Sequence, residues 1–185
     1  RPLDLRQGQQ IFAESCASCH GGRGMGDGKA AATLNPNPPA IGDRVAMRDR
    51  SPAIMYRIAS VGIAGTPMTG FASALTPEQR WKVIAYVSSL HSSSVTVLEG
   101  GGIYVQQCIS CHGANGTSDG ALARTLSKLP PEIGSFAWQA ERSDEQLANV
   151  IRAGVPGSPM PAAHDLADPQ ISSVVAYLRT LPTRD

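Results

Sequence analysis

Four cysteines and four histidines hold most of the chemistry open to this sequence, and their spacing is far from random. All four cysteines and two of the histidines fall into two identical patterns, Cys16-Ala17-Ser18-Cys19-His20 and Cys108-Ile109-Ser110-Cys111-His112. Thiols at i and i+3 share one helical face, and a histidine directly after them can bring its imidazole beside that face. The pattern reads as c-type haem attachment: each thiol adds to one haem vinyl group, and His20 or His112 takes the iron as proximal ligand. Other uses of the pairs account for less. A disulfide framework gives no reason for a histidine to follow each pair. A zinc ribbon wants about 15–20 residues between its cysteine pairs, whereas 88 residues separate Cys19 from Cys108. A thioredoxin-like redox site leaves the histidines equally unexplained.

An internal repeat with an offset of 92 points to the opposite ligand. Ile11-Phe12 matches Ile103-Tyr104, Asp27-Gly28 matches Asp119-Gly120, and Thr33-Leu34 matches Thr125-Leu126. Pro38-Pro39-Ala40-Ile41-Gly42 matches Pro130-Pro131-Glu132-Ile133-Gly134, and Gly65-Thr66-Pro67-Met68 matches Gly157-Ser158-Pro159-Met160. After the methionines the offset becomes 91, pairing Ala85-Tyr86-Val87 with Ala176-Tyr177-Leu178. Two copies of this size form a duplicated domain rather than a solenoid. Met68 and Met160 each lie 52 residues after the first cysteine of their own half. A preceding proline holds each on an extended loop, so both are expected to be iron ligands. Met47 and Met55 read as core filler, the ordinary role of methionine, and Met25 lies in a glycine-rich loop. His91, in a Ser-rich stretch, reads as a solvated surface residue. His164, four residues past Met160, reads the same way, with competition for iron as its alternative.

The elements that must position these groups are helical. A first helix is expected from about Asp4, as N-cap, to the first cysteine motif. A second starts at Ser51-Pro52 and ends near Gly62, and a third starts on the capping box Thr76-Pro77-Glu78-Gln79 and ends near Leu90. In the second half, Ser143-Asp144-Glu145-Gln146 opens a helix stopped by Gly154. Asp168-Pro169 opens the last one, which ends before Pro182. No stretch shows strand alternation. The expected fold class is all-α, with three helices and long loops per half: a domain over 1–90, a linker over 91–99 and a domain over 100–185. Gly8 with Phe12, and Gly100 with Tyr104, mark where the first helix of each half crosses the last, with Tyr86 and Tyr177 packing there. Pro39 and Pro131 are placed to offer a carbonyl to the ring N–H of the proximal histidine, which fixes its orientation and raises its basicity.

Composition narrows the function class. The 185 residues carry a net charge of +1, too little for a nucleic-acid footprint. No apolar run reaches the roughly 18 residues of a membrane span, and the Arg1-Pro2 start, without methionine or signal core, reads as a processed or trimmed product that has lost any anchor. Aromatic residues are only 5% of the chain, thin filling for two domains of this size, and a covalent porphyrin in each would supply the missing apolar core. Residues 1–92 hold 10 Lys/Arg against 6 Asp/Glu, or +4, and residues 93–185 hold 6 against 9, or −3. Such a field steers encounter with charged partners. The first half is expected to meet an acidic surface and the second a basic one.

Taken together, the paired Cys-x-x-Cys-His motifs, the Pro-rich turns, the Pro-Met loops and the terminal amphipathic helices with an aromatic residue resemble class I c-type cytochromes. The duplication is similar to that of the two-haem bacterial cytochromes of the c-four type, and it covers both halves nearly end to end. The resemblance implies tandem class I cytochrome c domains, each a small helical bundle around a covalent haem c with His/Met ligation. It also implies export to the periplasm before haem attachment, haems near each other with propionates towards the domain interface, and electron transfer as the role. The expected function is single-electron transfer between redox partner proteins, with a dehydrogenase or reductase as donor and an oxidase or another cytochrome as acceptor. The chain would act as a free carrier or as a subunit of an oxidoreductase complex. Its alternatives are a small two-haem enzyme of peroxidase or thiosulfate dehydrogenase type with a labile methionine ligand, and a gas or redox sensor. The enzyme needs an iron with a displaceable ligand or one ligated by Cys or His, and no cysteine is left over for that role; the sensor needs a vacant iron position.

Overall fold

The computed structural model describes residues 5–181, so the expected N-cap Asp4 lies outside the described residues. The first helix, α1, runs Leu5–Ser15, and the cysteine motif continues it as the short helix α2, Ala17–His20. After a 3-10 turn at Ala31–Thr33 come α3 (Arg44–Met47), α4 (Pro52–Val61) and α5 (Pro77–Ser89). The second half repeats the order: α6 (Ser94–Gln107), α7 (Ile109–His112), a 3-10 turn at Ala123–Thr125, α8 (Phe136–Ala140), α9 (Asp144–Ala153) and α10 (Asp168–Leu178). The fold is all-α, and the described residues contain no β-sheet, only an isolated bridge between Gly62 and Thr69. The short helices α3 and α8 were not anticipated. Each is started by a small polar cap, Asp43 accepting from the Ala46 amide at 2.8 Å and Ser135 accepting from the Trp138 amide at 3.4 Å.

The long helices begin where local chemistry puts them. The Ser51 hydroxyl accepts from the Ile54 amide ahead of Pro52. Thr76 with Gln79, and Ser143 with Gln146, close reciprocal capping boxes with bonds of 3.2 and 2.8 Å in each, satisfying N–H groups that a helix start leaves open. The last helix starts one residue before Pro169, with Ala167 at its N-cap and the Ala167 amide donating to Gln170 at 2.9 Å.

Chain contacts divide the described residues into two compact units, 5–91 and 92–181. The stretch 91–99, expected as a linker, is largely helical, because Ser93 caps α6 through the Thr96 amide at 3.1 Å and the helix includes residues 94–99. In the first unit α1 crosses α5. A Cβ on Gly8 would run into the Lys82 carbonyl, so only glycine lets the two backbones meet. In the second unit Gly100 meets the Ser173 carbonyl in the same way where α6 crosses α10. The aromatic pairs fall at these crossings, Phe12 with Tyr86 at 5.4 Å between ring centres and Tyr104 with Tyr177 at 5.2 Å. Phe12, Ile11, Met55, Val83, Ile84 and Val87 form the first core. Tyr104, Ile133, Val174 and Leu178 form one cluster of the second, with a further cluster around Leu147 and Ile171.

Candidate functional site

Each cysteine motif sits at a helix junction. Cys16 ends α1 through its amide bond to Phe12 (2.9 Å) and restarts the chain as α2 by accepting from Cys19 and His20. Cys108 does the same between α6 and α7, accepting from Cys111 at 3.2 Å and His112 at 2.9 Å. The junction puts both thiols of a pair on one face with the imidazole beside them. All four thiols are free and partly buried. Burial, reinforced by the neighbouring thiol, pushes Cys16 and Cys108 up to about 11. They are therefore neutral thiols at neutral pH. Among the described residues, no three His, Cys, Asp or Glu side chains converge into a metal-binding group.

The two imidazoles are held neutral as well. Burial lowers the pKa of His20 and of His112. Both Nδ1 atoms are buried without a hydrogen-bond partner, a costly state of about 1–3 kcal/mol each. For His20 the Pro39 carbonyl lies near enough to raise the pKa slightly against the effect of burial, but the contact falls short of hydrogen-bond geometry. That carbonyl already accepts from the Ile41 amide at 2.9 Å, and Pro131 accepts from Ile133 at the same distance. A metal-ligating histidine donates its second ring N–H to a carbonyl, carboxylate or water, and in both rings Nδ1 is the nitrogen that still lacks such a partner.

In the first unit a cavity of about 450 Å³ gathers the expected groups. Cys16, Cys19 and His20 from the α1–α2 junction, Pro38 and Pro39 from the proline turn, and Met68 from its loop all line it. The rest of the wall is mainly apolar, with Leu34, Ile41, Ile58, Phe71, Val83 and Val87 among it. Size and lining fit a buried prosthetic group. Met47 and Met55 also reach this wall, Met55 as part of the core. Arg50 is the one lining residue of Lys, Arg, Asp or Glu type.

The two methionine loops share a lock that sequence reasoning missed. The Thr66 hydroxyl donates to the Ile63 carbonyl at 2.8 Å and accepts from the Met68 amide at 3.2 Å. Ser158 repeats this with Val155 at 2.9 Å and Met160 at 3.2 Å. A backbone bond closes each loop, from Ile63 to Met68 and from Val155 to Met160. The available signal was a hydroxyl residue two places before the methionine in both copies. His91 departs from expectation: it is half-buried, and its Nε2–H donates to the Ile41 carbonyl at 2.9 Å, tying the end of α5 to the proline turn. His164 and Met25 are exposed.

Residues 5–91 match the family model for cytochrome c, and residues 95–178 match that for cytochrome c oxidase, cbb3-type, subunit III. The cbb3-type cytochrome c oxidase subunit CcoP of Azospirillum sp. (strain B510) is 29% identical over 94% of this chain and 61% of its own length. Subunit FixP of Sinorhizobium medicae (strain WSM419) is 27% identical over 94% of this chain and 59% of its own. The chain thus spans about 60% of the length of these curated relatives. Among solved structures, reduced recombinant cytochrome c4 from Pseudomonas stutzeri is 19% identical, with 96% of this chain and 98% of that chain covered and a TM-score of 0.32. The chain is a two-domain c-type cytochrome related to the CcoP/FixP subunits, a relationship that implies covalent haem c.

Proposed function

We propose that this two-domain c-type cytochrome holds two covalent haem c groups and passes single electrons through them as the electron-transfer part of a cbb3-type oxidase. The observation that carries the reading is the first cavity, where Cys16, Cys19, His20 and Met68 line one apolar space. Cys16 and Cys19 would hold one haem by thioether bonds, and Cys108 and Cys111 the other. Neutral His20 with Met68, and neutral His112 with Met160, would be the side chains that hold the two irons. Pro39 and Pro131 would supply the carbonyls that satisfy the orphaned Nδ1 atoms. Bound haem supplies a one-electron iron couple whose potential is raised by a thioether ligand. The chain's own part is to keep that couple closed. The hydroxyl-locked loops hold the methionines in place, and the apolar wall excludes water. With His20 and Met68 holding one iron and His112 and Met160 the other, no position would be left for a substrate, and the chain would conduct electrons rather than catalyse.

The oxidase assignment rests on the similarity of both halves to CcoP and FixP, spread over 94% of this chain. In that setting the acceptor is the oxidase, the donor is a reductase or another cytochrome, and the compartment is the periplasm. No helix among the described residues is long and apolar enough to cross a membrane, so attachment to the complex would come from other segments or subunits. The test is haem quantification per chain, followed by carbon monoxide added to the reduced holoprotein. Two haems with unchanged spectra are the expected result. A spectral shift in either haem would mean an open or labile iron, and the enzyme or sensor readings would replace this one.

A further inference from the structure

The duplication supplies an internal control: a side chain that differs between copies, while its surroundings stay the same, is not demanded by the fold. Tyr104 is such a residue. It occupies the place of Phe12, each ring is 1% exposed, and each packs on its partner tyrosine at nearly the same separation. The ring therefore packs equally well without the hydroxyl. In the second unit that buried hydroxyl donates to the carbonyl of Gly113, directly after His112, at 2.6 Å. Burial keeps the phenol protonated well above the ordinary tyrosine range, so it stays a donor. Both units share a backbone bond to that carbonyl, Gly24 to Gly21 at 3.0 Å and Gly116 to Gly113 at 3.3 Å, and among the described residues the Gly21 carbonyl has no side-chain donor beside it.

A second difference lies at the far end of the same loop. Ser118 stands where the first unit has Gly26, and it is the one described non-glycine residue with positive φ, at 61°. A side chain there is strained, yet its hydroxyl donates to the Pro130 carbonyl at 2.8 Å. The backbone bond beneath is shared, Ser118 to the His112 carbonyl at 3.0 Å and Gly26 to the His20 carbonyl at 2.8 Å. The second unit thus ties the loop after its histidine at both ends, to α6 and to the proline turn, where the first unit has neither side-chain tie.

We propose that Tyr104 and Ser118 are positioning residues that brace the His112 loop, so that the second haem site keeps its axial ligation more firmly than the first. The proposal rests on the His/Met reading above. It makes the two sites unequal by construction, with the first the one that yields a ligand under challenge. The brace acts through the backbone around His112, with the Tyr104 hydroxyl on the Gly113 carbonyl and Ser118 bonded through its own amide to the His112 carbonyl.

The test is an imidazole titration of the oxidised holoprotein, following the near-infrared methionine–iron band, with a Met68→His variant to assign the phases. The unmodified protein should lose methionine ligation in two phases, the first site ahead. Tyr104→Phe should move the later phase to about tenfold lower imidazole, equal to about 1.4 kcal/mol, near the upper end of one hydrogen bond's net contribution. Ser118→Gly should shift it in the same direction, and Phe12→Tyr should move the earlier phase to higher imidazole. A later phase unmoved by Tyr104→Phe, or an equal shift of both phases, would overturn the brace. An unmodified protein without two methionine-ligated haems would instead overturn the electron-transfer reading, and the brace with it.

Discussion

At the scale of single residues, burial sets the protonation of the two Cys-x-x-Cys-His motifs, and that can be read in solution. Cys16 and Cys108 are raised from 9.0 to about 11 in the fold. A thiol whose folded pKa lies above its unfolded value adds stability below pH 9 that is lost as pH rises towards 11. The histidines run the other way. Burial lowers them below 6.5, so their contribution is present above that pH and is lost as pH falls through the lowered folded value. Chemical unfolding of the haem-free chain should therefore show a stability plateau between about pH 7 and 9. It should lose on the order of 2 kcal/mol per buried thiol by pH 11. On the function proposed above, haem loading would turn the thiols into thioethers and ligate the imidazoles, so both flanks should flatten. Equal alkaline flanks with and without haem would mean that Cys16 and Cys108 are not the attachment points.

At the scale of elements, the two helix crossings are points where even one added methyl group has no room. Gly100 faces the Ser173 carbonyl and the following Val174 amide, and neither is the flexible end of a side chain. Gly100→Ala must therefore push α6 off α10, where Tyr104 and Val174 are each 1% exposed. Denaturant unfolding of the haem-loaded protein should show the second unit destabilised by about 3 kcal/mol or more, with the first unit unchanged. Gly102→Ala is the matched control, since a Cβ there meets open space, and it should be neutral or slightly stabilising. The helix starts were legible because Ser51, Thr76 and Ser143 bond to amides only three residues away. The start of α6 was not: the serines before it look like a flexible joint, and their capping role depends on the apolar turn that follows.

At the scale of the whole molecule, the asymmetry of charge is the feature most open to test. The first half carries +4 and the second −3, so each should favour partners of the opposite sign at encounter. Electron exchange with an acidic partner should slow as ionic strength rises, through screening over about 10 Å at 0.1 M salt, and stopped-flow rates against salt would show it. Rates independent of salt with both acidic and basic partners would remove steering from the account.

The sequence by itself determined what rests on short spacing and on repetition. Thiols three residues apart with a histidine behind them, a cap three residues before its amide, and an offset of 92 between copies are all local or countable. Together they specified the class, the all-α architecture and the candidate ligand set. Tertiary structure decided what depends on residues distant along the chain. It brought Met68 to the same wall as His20, and it set Met47, which packs against the first core, on that wall as well. It docked His91 on Ile41, 50 residues away, instead of leaving it in water. It also gave Tyr104 a partner at Gly113 that Phe12 cannot have at Gly21. The physical reason is the same in each case: a side chain's partner is set by which backbones pack together, and packing joins segments whose separation no local pattern records.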